Sequence, residues 1–153
     1  MRMSRRAILA AAIAIPVAGT ILRPALAQEP VVYAPGGVAL GGYDVVAYFT
    51  EGHAVMGSET HEIMWHGAVW RFATPEALME FEMNPAAYAP QYGGYCAYAV
   101  SRGTVASSSP EAFVVRDGKL YLNHNREVMA LWETDVAGNI ARADSQWPSV
   151  IGR

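Results

Sequence analysis

A single cysteine, Cys96, in a chain of 153 residues leaves no partner for an internal disulfide, so packing has to hold the fold together. Uninterrupted apolar runs are short. The longest apolar stretch, residues 7–22, is broken by Pro16 and Gly19 and closed by Arg23, short of the roughly 18 residues that a spanning helix needs. Basic residues are scarce beyond residue 27, where 7 remain against 14 acidic ones, a net charge of 7 − 14 = −7. That balance excludes nucleic acid as a natural partner. Gly-x-Ser-x-Gly, His-Glu-x-x-His, a phosphate loop and a Gly-x-Gly-x-x-Gly after a strand are all missing, which removes the familiar hydrolase and nucleotide-binding signatures. No internal repeat, domain boundary or low-complexity tract is legible.

The start of the chain reads as an address. Arg2, Arg5 and Arg6 precede the apolar stretch, and Ala25-Leu26-Ala27 is a small-x-small cleavage site before Gln28, the layout of an export signal. Ser4-Arg5-Arg6-Ala7-Ile8-Leu9 fits a twin-arginine signal, which implies a protein exported folded to the periplasm or beyond. Residues 1–27 are thus expected to be removed, residues 28–40 to form an extended entry segment rich in proline and glycine, and residues 41–153 to make one domain.

Within that domain Asp44 is placed to cap a short helix over 45–49. Strands over 60–65 and 68–73 flank His66-Gly67, and strands over 112–116 and 119–123 flank Asp117-Gly118, two hairpins with two-residue turns. The first register pairs Ile63 with Trp70, Glu62 with Arg71 and His61 with Phe72, and puts an aromatic face inward. Thr74-Pro75-Glu76 starts a helix that Asn84-Pro85 stops, and further helices are expected over 126–134 and 139–147. The expected class is α+β, a small domain whose two hairpins form an antiparallel sheet packed by three or four short helices. Trp65, Trp70, Trp132 and Trp147 are available to anchor its core.

The chemistry-bearing stretch is Pro90 to Val100, where Cys96 follows Gly93-Gly94 among Tyr92, Tyr95 and Tyr98. Three readings compete. A thiolate with an imidazole, His61 first, suits copper before zinc, with methionine thioethers as further soft ligands. Alternatively Cys96 packs as a small hydrophobe, and Tyr43, Tyr92, Gly93, Gly94 and Tyr95 shape a pocket for a small ligand or protein. The third reading, a thiol enzyme with His61 or His124 as base, lacks the local signatures of such sites.

The motifs Gly42-Tyr43-Asp44-Val45-Val46-Ala47-Tyr48-Phe49, Trp70-Arg71-Phe72-Ala73, Phe81 with Asn84-Pro85 and Tyr88, Ala89 to Ala97, and Asp117 to Asn123, with Trp132, Ala143-Asp144 and Trp147, resemble the exported, single-domain kind of YHS protein. The resemblance covers nearly all of the segment after residue 40. Related modules occur in metal-handling proteins and carry a Cys-Ser-x-x-Cys pattern as presumed ligands at a strand-to-helix junction. Here Ala73, Thr74 and Ala77 stand at those positions, leaving Cys96 as the soft ligand. The resemblance implies the fold; joined to the soft-ligand chemistry of Cys96 and His61, the first expectation is a periplasmic, non-catalytic module that binds copper before zinc.

Overall fold

The computed structural model describes residues 29–152, so the export signal expected over 1–27 lies outside the described residues. The chain is α+β, with two hairpins and several short helices. Strand β1 (Ser58–Trp65) pairs antiparallel with β2 (Ala68–Phe72), and β3 (Phe113–Arg116) with β4 (Lys119–Leu122); each pair is a two-stranded sheet of its own. The helical segments are α1 (Ala47–Thr50), α2 (Pro75–Met83), α3 (Pro85–Tyr88), α4 (Ala97–Ser101), α5 (Arg126–Glu133) and α6 (Val136–Gln146). The α3 and α4 segments, of four and five residues, add to the four expected helices. Segments this short hold little more than one helical turn, too few residues for a periodic pattern to be read.

Both turns have the backbone that their sequences ask for, with φ of 49° at His66, 78° at Gly67, 50° at Asp117 and 71° at Gly118, the positive-φ pair of a type I′ hairpin. The expected register holds from Trp65–Ala68 to Glu62–Arg71 and then breaks. A bulge between Ser58 and Glu62 makes Ser58, not His61, the partner of Phe72. It also brings two acids to one cation: Arg71 bonds Glu62 at 2.8 Å and Glu59 at 3.4 Å.

The structure contains a repeat that the sequence hides. Residues Ala39–Gly42 and Gln91–Gly94 form matching turns with three successive positive φ values, 52°, 66° and 94° at Leu40-Gly41-Gly42 and 56°, 62° and 85° at Tyr92-Gly93-Gly94. Each turn packs on the second strand of the hairpin that follows it, and each leads into a short helix whose first backbone N–H groups are bonded by a side chain, Asp44 before α1 and Cys96 before α4. Each hairpin then feeds a helix capped by a side chain, Thr74 at α2 and Asn125 at α5. Phe81 and Trp132, both 0% exposed, hold equivalent places on those helices. Phe81 lies 5.2 Å from Trp70 of β2, and Trp132 lies 5.1 Å from Tyr121 of β4, centroid to centroid.

The buried apolar residues form two clusters, the first of which also takes in Leu120 and Leu122 of the second hairpin. Val45, Val46, Tyr48, Trp70, Phe72 and Phe81 belong to one cluster; Tyr92, Tyr95, Val100, Tyr121, Trp132 and Ala143 belong to the other. The halves meet in the first core, where Leu120 and Leu122 of β4 join the cluster and the Tyr48 ring lies 4.6 Å from that of Phe113, and through their turns. Leu40 N–H donates to Tyr33 O, Tyr33 N–H donates to Gly93 O at 2.9 Å, and the Leu40 side chain fills the space where Gly94 would carry a Cβ. Glycine is required at 94 twice over, for the positive φ and for that close approach.

Candidate functional site

Where the two halves adjoin there is an open cleft of about 430 Å³, within the roughly 300–1,000 Å³ typical of small-ligand pockets. The first half gives it Trp65, Trp70 and His66 from the hairpin; the second gives Gln91, Tyr92 and Gly93 from the turn and Asp144 and Trp147 from α6 and the residue after it. Local rules place these groups. Trp65 and Trp70 flank the turn as the inward residues of β1 and β2, and the Trp70 indole N–H is spent on Trp65 O at 2.9 Å, which fixes the ring. His66, the first turn residue, stacks on the Trp65 ring with centroids 3.8 Å apart. Asp135 caps α6 by accepting the Gly138 N–H at 3.1 Å, so the helix starts at Val136 and presents Asp144 to the cleft.

Tyr92 is the pivot of the cleft. Its hydroxyl donates to Asp144 Oδ1 at 2.8 Å, and its ring lies 6.2 Å from that of Trp147 at an interplanar angle of 65°. Burial, then the hydrogen bond to Asp144 and the charge of that carboxylate, push the Tyr92 phenol well above its ordinary value of 10.0. Burial is likewise the main cause of the upward shifts at Tyr48, Tyr95 and Tyr121. A raised folded-state value means that the folded protein keeps protons which the unfolded chain releases above about pH 10. The stabilisation is therefore whole below pH 10 and is lost as pH rises beyond it. Denaturant midpoints measured from pH 8 to 11.5 are expected to stay level up to about pH 10 and then fall, with a shallower fall in Tyr92→Phe; an unchanged midpoint at pH 11 would contradict the burial argument.

Of the five residues expected to shape a pocket, Tyr92 and Gly93 line this cleft. Tyr95 lines a different hollow and donates its hydroxyl to Pro30 O at 2.9 Å. Gly94 is buried against Leu40, and Tyr43 pairs with Met56 in an isolated bridge. Asp144 and His66 are the functional candidates that sequence reasoning missed.

Cys96 occupies another environment. It is 1% exposed, its sulfur accepts the Ala99 N–H at 3.5 Å, and its thiol donates to Asn123 Oδ1 at 3.7 Å. The same oxygen accepts the Tyr98 N–H at 3.1 Å, so the thiol and the carboxamide together tie the head of α4 to the end of β4. His61 stands half-buried on β1 in the other half, and His124 is exposed with Nδ1 bonded to Ser107. Among the described residues no group of three or more His, Cys, Asp or Glu side chains converges. The buried atom left unpaired beside Cys96 is Asn123 Nδ2, a donor and so the wrong polarity to hold a cation. These donors do not fit a copper or zinc ion.

The strand-to-helix junction fits no better. Ala73 and Ala77 line a hollow of about 320 Å³ with Asp44, Glu51 and His53, and Asp44 is already committed to the backbone N–H groups of Val46, Ala47 and Ala73. A side-chain carboxylate there joins the turn to the end of β2.

A thiol so enclosed should react slowly. Modification of Cys96 by a disulfide reagent is expected to be roughly 100-fold or more slower in native protein than in denaturant, since it must await local opening. One equivalent of cuprous ion should leave the native rate unchanged. Rapid native reaction that copper suppresses would restore Cys96 as a ligand.

Comparison with protein-family models, with curated proteins and with solved structures gives no match to this chain.

Proposed function

We propose that the protein is an exported, non-catalytic binding module of the YHS type, which takes a small molecule with an apolar body into the cleft between its halves. The observation that carries this reading is the composition of that cleft: three tryptophans and a tyrosine around a single carboxylate, in a space of about 430 Å³. Large rigid rings supply contact area at little entropic cost, and a few polar groups orient the occupant. The motifs from Gly42 to Trp147 support the family resemblance, and the Arg5-Arg6 signal supports a periplasmic address. Binding without turnover agrees with the placement of Cys96, whose thiol is capped, buried and bonded to an amide rather than to an imidazole.

The test is a fragment screen on the mature chain, read by amide and indole NMR shifts. Hits are expected to move the indole signals of Trp65 and Trp147 together, and Trp147→Ala should weaken them by about 10-fold, the loss of one aromatic contact of about 1.4 kcal/mol. Hits that map elsewhere, or none at millimolar concentration, would remove the proposal. Replacing Arg5 and Arg6 by lysine should abolish export if the address is read correctly.

A further inference from the structure

Resting on that reading, we infer that the occupant is an organic cation, an alkylated ammonium carried on an apolar body. The cleft holds two aromatic corners, one from each half: Trp65 with Trp70 at 67° and 5.5 Å, and Tyr92 with Trp147 at 65° and 6.2 Å. Trp70 and Tyr92 are buried and back these corners, so the rings a ligand can reach are the half-buried Trp65, whose other neighbour is the stacked His66, and Trp147. A π face carries negative potential that attracts a cation placed over it.

The charge in the cleft agrees. Asp144 is its carboxylate, and no lysine or arginine lines it among the described residues. Nor does any described cation form an ion pair with Asp144. One carboxylate oxygen accepts the Tyr92 hydroxyl, which orients the group, and no described side chain bonds the other. His66, stacked on Trp65, is the remaining titratable group at the rim.

A hydrated inorganic cation would lose too much water to enter among rings, and a primary ammonium is strongly hydrated too. Methyl groups on nitrogen spread the charge, reduce that cost and pack on indole faces. The net charge of −7 beyond residue 27, 7 − 14, adds a general attraction for cations.

The experiment compares choline with its neutral isostere 3,3-dimethylbutan-1-ol, titrated into the mature chain and followed by the indole NMR signals. Choline is expected to bind at least about 10-fold more tightly. Asp144→Asn keeps an oxygen to accept the Tyr92 hydroxyl while removing the charge of this exposed side chain, so it should weaken choline about 3-fold and leave the neutral alcohol unchanged. Trp147→Leu, which keeps an apolar side chain, should cut the preference for the cation. Equal binding of the two probes, or an Asp144→Asn variant of unchanged melting temperature that retains the full preference, would overturn the cation and leave the cleft standing as a neutral pocket. Failure of both probes, with fragment hits still moving Trp65 and Trp147, would overturn the cation alone. No shift from any compound would overturn the cleft as well.

Discussion

Asp44→Ala is expected to lower the unfolding free energy by about 3 to 4 kcal/mol, a large share of what a domain of this size possesses. The side chain is 1% exposed and accepts three backbone N–H groups, from Val46 at 2.8 Å, Ala47 at 3.3 Å and Ala73 at 2.9 Å. Each bond to an ionised acceptor contributes about 1.5 to 3 kcal/mol, and the cost of burying the charge offsets part of the sum. Alanine leaves these donors without an acceptor at two places distant in the chain, the head of α1 and the end of β2. Asp44→Asn keeps one oxygen and should lose about half as much. Urea unfolding at pH 7 checks both, with the slope unchanged if only the folded state is affected. A loss below about 1 kcal/mol in Asp44→Ala would mean that water takes over the three donors.

Cys96 holds the equivalent place in the second half, and the contrast is chemical. Sulfur is a weak acceptor, and the long contacts of 3.5 and 3.7 Å carry little of the energy that the carboxylate supplies. The same backbone device is thus held by charge in one half and by packing plus a thiol in the other.

Much of the architecture was legible because it rests on short-range chemistry. Asp117-Gly118 and His66-Gly67 specify their turns, Thr74-Pro75 specifies the start of α2, and alternation of polar and apolar residues sets the register from Glu62 to Trp65. The break beyond Glu62 was not legible, because a bulge adds an unpaired residue that the alternation of polar and apolar positions does not mark. The repeat escaped because Gly-Gly-Tyr is nearly all that the two turns share as letters. Phe81 stands for Trp132, Trp70 for Tyr121 and Asp44 for Cys96, substitutions that keep size or hydrogen-bonding role and erase identity. Asp144 escaped for a different reason: its partner Tyr92 lies 52 residues away, and nothing within α6 distinguishes it from a solvated acid. Cys96 drew attention as the single thiol, yet its role as a helix cap requires Asn123, 27 residues on.

The paired cores give the last expected result. Phe81→Ala and Trp132→Ala should each cost about 3 to 5 kcal/mol, as large aromatics removed from sites that are 0% exposed. Together they would exceed the stability of most domains this small, so coupling between the halves is better read from milder changes. In Phe81→Leu the helix keeps a large apolar group and loses the stack on Trp70, for about 1 to 2 kcal/mol. Trp132→Phe differs in kind, because Trp132 Nε1 is buried and finds no acceptor among the described residues. Removing the indole N–H relieves a penalty of about 1 to 3 kcal/mol and so offsets the cavity left by the smaller ring. The expected net change is within about 1 kcal/mol of zero. Because Phe81 and Trp132 belong to separate clusters, the double variant should equal the sum of the singles to within about 0.5 kcal/mol. A coupling above about 1 kcal/mol would make the two clusters one core. A loss above about 2 kcal/mol in Trp132→Phe alone would place a bound water on Nε1, and in that case the tryptophan is held by its polar edge as well as by its size.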